Sequence, residues 1–79
     1  MINKKDLEKL LCGTIADLQF KEVLSRMTDI QNDIENNYLT LNKGKDGISY
    51  VWYLDDTKEW CIAPDGKELT NEEIEKLLL

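Results

Sequence analysis

The first part of the chain spaces its apolar residues so that they share one face of a short helix. Asn3 is a good N-cap, and Gly13 is a good stop because glycine adopts the left-handed backbone of a helix C-terminus at little cost. The shared apolar face carries three leucines: Leu7, Leu10 and Leu11. The pattern predicts a helix over residues 4–12.

A longer amphipathic stretch follows and opens at Thr14, with Asp17 where a capping-box acid would lie. Its apolar residues recur in alternating steps of three and four: Phe20, Val23, Met27, Ile30 and Ile34. This spacing is typical of a heptad seam. Helix-forming residues give way at Asn36, so the pattern predicts one long helix of about 21 residues, roughly 30 Å in length.

The hydrophobic pattern then changes from a helical repeat to a repeat of two residues, which is typical of strands. Three strands are predicted, over 38–42, 48–54 and 59–63, with turns between them. A full capping box at Thr70 and Glu73 then predicts a last short helix. The sequence thus predicts an α+β fold as one domain over 1–79, in the order ααβββα. A three-stranded antiparallel meander would pack against one long and two short helices.

The second and third strands can pair in two ways. With a two- or four-residue turn, Tyr53 faces Trp60 and Val51 faces Ile62, while Trp52 pairs with Cys61 on the other face. A bulge or an odd turn would shift the register by one residue and place both tryptophans on one face.

In the first register we expect the helices to cover the face with Tyr50 and Trp52. Val51, Tyr53 and Trp60 would then form an exposed patch on the far side, and such patches mark interaction surfaces. The alternative is that the C-terminal helix crosses over and buries this patch.

The charge balance of the chain makes some classes of binding partner less favourable. The 79 residues carry 10 basic and 16 acidic side chains, a net charge of −6, which disfavours direct phosphate binding to nucleic acid. The early residues form a charged segment rather than a secretory signal, and no apolar run is long enough to span a membrane. We therefore expect a cytoplasmic protein without a membrane partner.

The residues that usually carry chemistry are sparse. Histidine is absent, which removes Ser-His-Asp and Cys/His zinc arrangements. Cys12 and Cys61 are expected to be buried and reduced, with a single disulfide as the alternative. The carboxylates of Asp55, Asp56 and Glu59 lie close together at a hairpin, but Lys58 lies among them and a solvated turn is favoured over a metal site. No cofactor or metal is expected.

These features favour a non-enzymatic protein–protein interaction module. Its most concrete form is a small acidic inhibitor or adaptor, of the phage or mobile-element type that includes anti-defence proteins. Its partner would be a nucleic-acid-handling protein, and the acidic surface would mimic nucleic acid. The expected contact residues are three side chains of the exposed apolar patch and three acids: Val51, Tyr53, Trp60, Asp55, Asp56 and Glu59. A self-associating assembly module is the alternative, as a monomer or homodimer, and a small metal-dependent enzyme is disfavoured.

Overall fold

The computed structural model describes residues 2–79, which form four helices and three strands. The helices are α1 (Lys4–Leu11), α2 (Asp17–Arg26), α3 (Ile30–Glu35) and α4 (Asn71–Leu78). The strands are β1 (Leu39–Lys43), β2 (Ser49–Leu54) and β3 (Glu59–Ile62), and they form an antiparallel sheet in the order β1-β2-β3. The α+β class and the three-stranded meander are confirmed.

The prediction of a single long helix is wrong, because the structure has two separate helices, α2 and α3, in its place. At Met27 the backbone is extended (φ −113°, ψ 140°), and Asp29 then caps α3 by accepting a hydrogen bond from the Asn32 backbone N–H at 3.2 Å. An aspartate that bonds its own local backbone competes with helix continuation. Although the helix is interrupted, the whole predicted seam still packs in one core.

Two of the three predicted N-caps are confirmed. The Asn3 side chain accepts from the Asp6 backbone N–H at 2.8 Å. Thr70 and Glu73 exchange side-chain to backbone hydrogen bonds of 3.2 and 3.0 Å. Thr14 does not cap α2.

Helix α2 instead begins at Asp17, and the side-chain oxygen of Gln19 accepts from the Ala16 N–H at 3.2 Å. Gln19 is only 1% exposed, and its amide nitrogen donates to the carbonyls of Ser49 and Ile62 at 3.2 and 2.9 Å. The amide therefore ties the start of α2 to the sheet.

The end of α1 differs by one residue from the prediction. Cys12, not Gly13, takes the left-handed conformation (φ 60°), and its thiol is exposed. A Cβ at Gly13 would lie too close to the end of the Leu41 side chain, which would have to shift. The prediction that both thiols are buried is therefore wrong for Cys12. Cys61 is fully buried, and neither cysteine forms a disulfide.

The sheet adopts the register predicted for an even turn: Tyr53 pairs with Trp60, Val51 with Ile62 and Trp52 with Cys61. Helices cover both faces. Helices α1–α3 pack on the face with Val51, Tyr53, Trp60 and Ile62, while α4 packs on the face with Tyr50 and Cys61. Within residues 2–79, no helix is long and apolar enough to cross a membrane.

Candidate protein-binding surface

The three apolar residues predicted to contact a partner lie in the core. Val51 is 0%, Tyr53 3% and Trp60 5% exposed, so the prediction of an exposed aromatic patch is wrong. The sequence predicted that the helices cover the opposite face of the sheet, which carries Tyr50 and Trp52. The reason for the difference is that the division between α2 and α3 lets three short helices lie over this face, and α4 alone covers the other.

Tyr53 and Trp60 form the centre of a stacked group. Their ring centroids are 5.2 Å apart with an interplanar angle of 11°. The Arg26 guanidinium lies 5.6 Å from the Trp60 centroid, and the Lys58 ammonium lies 4.9 Å from the Tyr53 centroid. Both distances suit cation–π contacts. Arg26 also forms an ion pair with Glu68 at 2.8 Å, so these two cations are held by the protein itself.

Asp55 serves the hairpin between β2 and β3. One carboxylate oxygen accepts from the backbone N–H groups of Thr57 and Lys58 at 2.7 and 2.8 Å, and also from the Thr57 hydroxyl. The other oxygen accepts from the Tyr53 hydroxyl at 2.7 Å. These hydrogen bonds hold the pKa of Asp55 far below its ordinary value, and the same contact with Asp55 raises the pKa of Tyr53 to about 12. Asp55 is primarily a structural residue.

The other two predicted acids are exposed on the same hairpin. Asp56 and Glu59 project into solvent and take part in none of the ion pairs found within residues 2–79. Their position is therefore as predicted.

Helix α3 and its N-cap residue bring two further acids, Asp33 and Asp29, towards this hairpin. The pKa of Asp33 is raised by partial burial and by the negative charges of Asp29 and Asp55, with Lys58 acting in the opposite direction. Asp33 is thus within electrostatic range of Asp29 and Asp55, and Asp55 shares its hairpin with the exposed Asp56 and Glu59. We call this set of five carboxylates the acidic end: Asp29, Asp33, Asp55, Asp56 and Glu59. The sequence did not indicate this set, because it joins residues far apart in the chain.

An apolar groove opens beside the acidic end, between α1 and the junction of α2 and α3. It has a volume of about 770 Å³. Its apolar lining consists of Ile2, Leu10, Leu24, Met27 and Ile30, and its polar lining of Asp6, Lys9, Thr28, Asp29 and Gln31. Asp29 belongs to both features, so the groove and the acidic end form one continuous surface.

Sequence reasoning missed the groove because it placed Met27 and Ile30 within one uninterrupted helix. The available signal was Asp29, whose position three residues before Asn32 suits an N-cap. A second helix start there separates α2 from α3 and leaves Leu10 of α1 40% exposed at the groove.

The groups that could support chemistry are few. Within the part of the chain that the structure describes, no group of three or more Cys, Asp or Glu side chains is arranged to hold a metal ion. Burial raises the pKa of the Cys61 thiol to about 12, which keeps it protonated and unreactive.

Comparison with protein-family models, with curated proteins and with solved structures found no match to this chain. The function must therefore be inferred from the surface of the molecule itself.

Proposed function

We propose that this protein is a non-enzymatic binding module that inhibits or adapts a basic protein, most concretely one that handles nucleic acid. The observation that carries the proposal is the continuity of the apolar groove with the acidic end at Asp29. A basic amphipathic segment of a partner fits such a surface, because its cations meet carboxylates while its apolar side chains enter the groove.

The acidic end and the groove would make different contributions to binding. Exposed carboxylates such as Asp56 and Glu59 raise the association rate, and their effect weakens as salt shortens the Debye length. The apolar residues of the groove, in particular Leu10 and Met27, slow dissociation because they exclude water from the contact. This assigns the anchoring role to the groove rather than to Tyr53 and Trp60.

The experiment is a quantitative affinity capture from the native cell, with partners identified by mass spectrometry. The wild type is compared with Asp56→Lys/Glu59→Lys, which changes the net charge from −6 to −2 and leaves the Asp55 hydrogen bonds intact. The matched control is Glu72→Lys/Glu75→Lys on α4, which makes the same change in net charge at exposed positions far along the chain.

The proposal requires a basic nucleic-acid-binding protein that the wild type and the α4 variant capture and the hairpin variant captures poorly at low salt. For that partner, Leu10→Gln should accelerate dissociation, whereas Leu18→Gln, at another exposed leucine, should not. Equal capture by all charge variants, or a captured partner that is acidic, would contradict the proposal.

A further inference from the structure

The two cations over the stacked rings of Tyr53 and Trp60 differ in how they are fixed. Arg26, over Trp60, also has its ion pair with Glu68 at 2.8 Å. Lys58 is exposed, and its ammonium lies 4.9 Å from the Tyr53 ring centroid. It takes part in none of the ion pairs found in the part of the chain that the structure describes. The Lys58 side chain can therefore leave the ring without breaking an ion pair.

The turn that carries Lys58 does not depend on the position of this side chain. The backbone N–H groups of Lys58 and Thr57 donate to Asp55 Oδ1 at 2.8 and 2.7 Å. These hydrogen bonds hold the hairpin wherever the ammonium lies. Tyr53 is only 3% exposed, and Lys58 is one of the groups that cover its ring. Movement of Lys58 into solvent would therefore open part of an aromatic surface and leave the turn intact.

A carboxylate without an ion pair lies beside this ring. Asp33 on α3 is half-buried, and no cation of the described residues forms an ion pair with it. The hydrogen bond to Asp55 raises the pKa of Tyr53, and burial and the charge of Asp33 add to this effect. Burial and the charge of Asp29 raise the pKa of Asp33, whereas the charge of Lys58 lowers it. Asp33 is therefore within electrostatic range of both the Tyr53 hydroxyl and the Lys58 ammonium.

A second aromatic ring borders the same place. Tyr38 is 36% exposed, and its ring centroid lies 6.2 Å from that of Tyr53, with an interplanar angle of 59°. Its backbone N–H donates to the Asp33 carbonyl at 2.8 Å, which fixes Tyr38 to the end of α3. Two tilted aromatic rings beside a carboxylate attract a cation through both the ring faces and the negative charge. We call the rings of Tyr38 and Tyr53 and the carboxylate of Asp33 the tyrosine site.

We propose that the tyrosine site binds an arginine side chain of the basic partner, and that Lys58 fills this site in the free protein. The inference rests on the proposed function, because it names a contact that the partner makes at the acidic end. A planar guanidinium can stack on a ring and donate to a carboxylate at the same time. The Lys58 ammonium makes the ring contact without an ion pair. The arginine therefore displaces Lys58, which moves into solvent.

The first test follows Lys58 by NMR, with a nona-arginine peptide as the probe. In the free protein, the ring current of Tyr53 should shift the ε-methylene protons of Lys58 upfield, because the ammonium lies over the ring. Saturation with the peptide should return these protons to the position of a solvated lysine. The protons of Lys67, an exposed lysine in the turn after β3, provide the control and should not move. An upfield position that persists at saturation would overturn the proposal.

The second test measures the affinity of variants for the same peptide. Lys58→Ser removes the competing cation and should tighten binding of nona-arginine about fivefold or more. Lys67→Ser makes the same change in net charge and should change the affinity by about twofold at most. A nona-lysine peptide should gain less from Lys58→Ser, because an ammonium cannot stack and pair as a guanidinium does. Equal gains for the two peptides, or from the two variants, would overturn the proposal, since binding would then reflect net charge alone.

The third test removes the carboxylate of the tyrosine site. In the Lys58→Ser protein, Asp33→Asn should weaken binding of nona-arginine about fivefold. Glu35→Gln makes the same change in charge at an exposed position of α3 and should weaken it by about twofold at most. Equal weakening by the two substitutions would argue against a direct contact with Asp33.

These outcomes are separate from those of the affinity capture. A basic partner that binds the acidic end and leaves Lys58 on the ring would overturn the tyrosine site but not the proposed function. A captured partner that is acidic would overturn the proposed function, whereas the peptide experiments would still decide whether the tyrosine site binds arginine.

Discussion

The hydroxyl of Tyr53 donates a hydrogen bond of 2.7 Å to Asp55 Oδ2, which links the aromatic core directly to the acidic hairpin. Tyr50 makes a similar contact on the opposite face, donating to Asp46 Oδ2 at 2.6 Å in the turn before β2. Each hairpin turn is thus fixed by an aspartate that also accepts from a buried tyrosine. The negative charge that remains free for a partner therefore belongs to Asp56 and Glu59 rather than to Asp55.

Stability at acid pH should depend on Asp55. Its hydrogen bonds lower its pKa in the folded protein below the value of about 3.9 in an unfolded chain. The stabilisation is therefore fully present above about pH 4 and is lost as the pH falls towards the folded-state pKa. Asp55→Asn should reduce the free energy of unfolding at pH 7, and its difference from the wild type should shrink below about pH 4. Urea unfolding across this pH range measures both quantities.

The control for this prediction is Asp56→Asn, which lies in the same turn and is exposed. It should leave the pH dependence unchanged. Equal acid profiles for the Asp55 and Asp56 variants would show that the turn does not depend on the Asp55 hydrogen bonds.

The break between α2 and α3 should depend on the cap at Asp29. Asp29→Ala removes the acceptor for the Asn32 N–H and should lower the free energy of unfolding by about 1 kcal/mol. Asp29→Asn keeps an acceptor oxygen and should stay close to the wild type. Denaturant unfolding distinguishes these outcomes. A continuous helix would instead tolerate or favour the alanine, so a stabilised Asp29→Ala protein would argue against the break.

The two thiols should react differently under native conditions. Cys12 is exposed and should react at once with a thiol reagent, whereas Cys61 should react only after denaturant is added, because it is buried and its pKa is raised. Cys61→Ala should lower the free energy of unfolding by about 1–2 kcal/mol. Labelling followed by mass spectrometry counts the modified sites. Two labelled thiols in the native protein would contradict the burial of Cys61.

The amide of Gln19 should contribute to stability through the three backbone groups that it satisfies. Gln19→Leu leaves the carbonyl of Ile62 and the N–H of Ala16 without this partner, and it should lower the free energy of unfolding by about 1–3 kcal/mol. Gln31→Leu, at an exposed position of α3, should change it by about 0.5 kcal/mol at most. Thermal or urea unfolding of both variants provides the comparison. A similar effect at both positions would mean that the buried amide has no special role.

Much of the fold follows from local signals along the chain. The two caps at Asn3 and Thr70 form as predicted because each is completed within four residues of sequence. The register of β2 and β3 follows from an even turn and from alternation of side chains, both of which are local properties. The apolar positions predicted for α2 and α3 also lie in the core, but the two helices are not continuous as predicted.

The candidate site was only partly predictable. Asp56 and Glu59 are exposed as expected, because charged residues in a turn are rarely buried. Tyr53 and Trp60 were expected on the surface, but an aromatic residue on a strand looks the same in sequence whether its face meets solvent or a helix. The sequence did not predict that Asp29 and Leu10 line one groove, because only tertiary packing brings α1 alongside the junction of α2 and α3.

The sequence by itself determined the α+β class, the positions of the strands and the acidic balance, because these depend on periodicity, turn residues and composition. Only the tertiary structure decided which helices cover which face of the sheet. Both faces of β2 carry large apolar side chains, and the pattern alone leaves their cover undetermined. Side chains on one face are buried or exposed according to contacts with residues distant in the chain. Burial of Tyr53 and Trp60, and assembly of the groove beside Asp29, arise from those contacts.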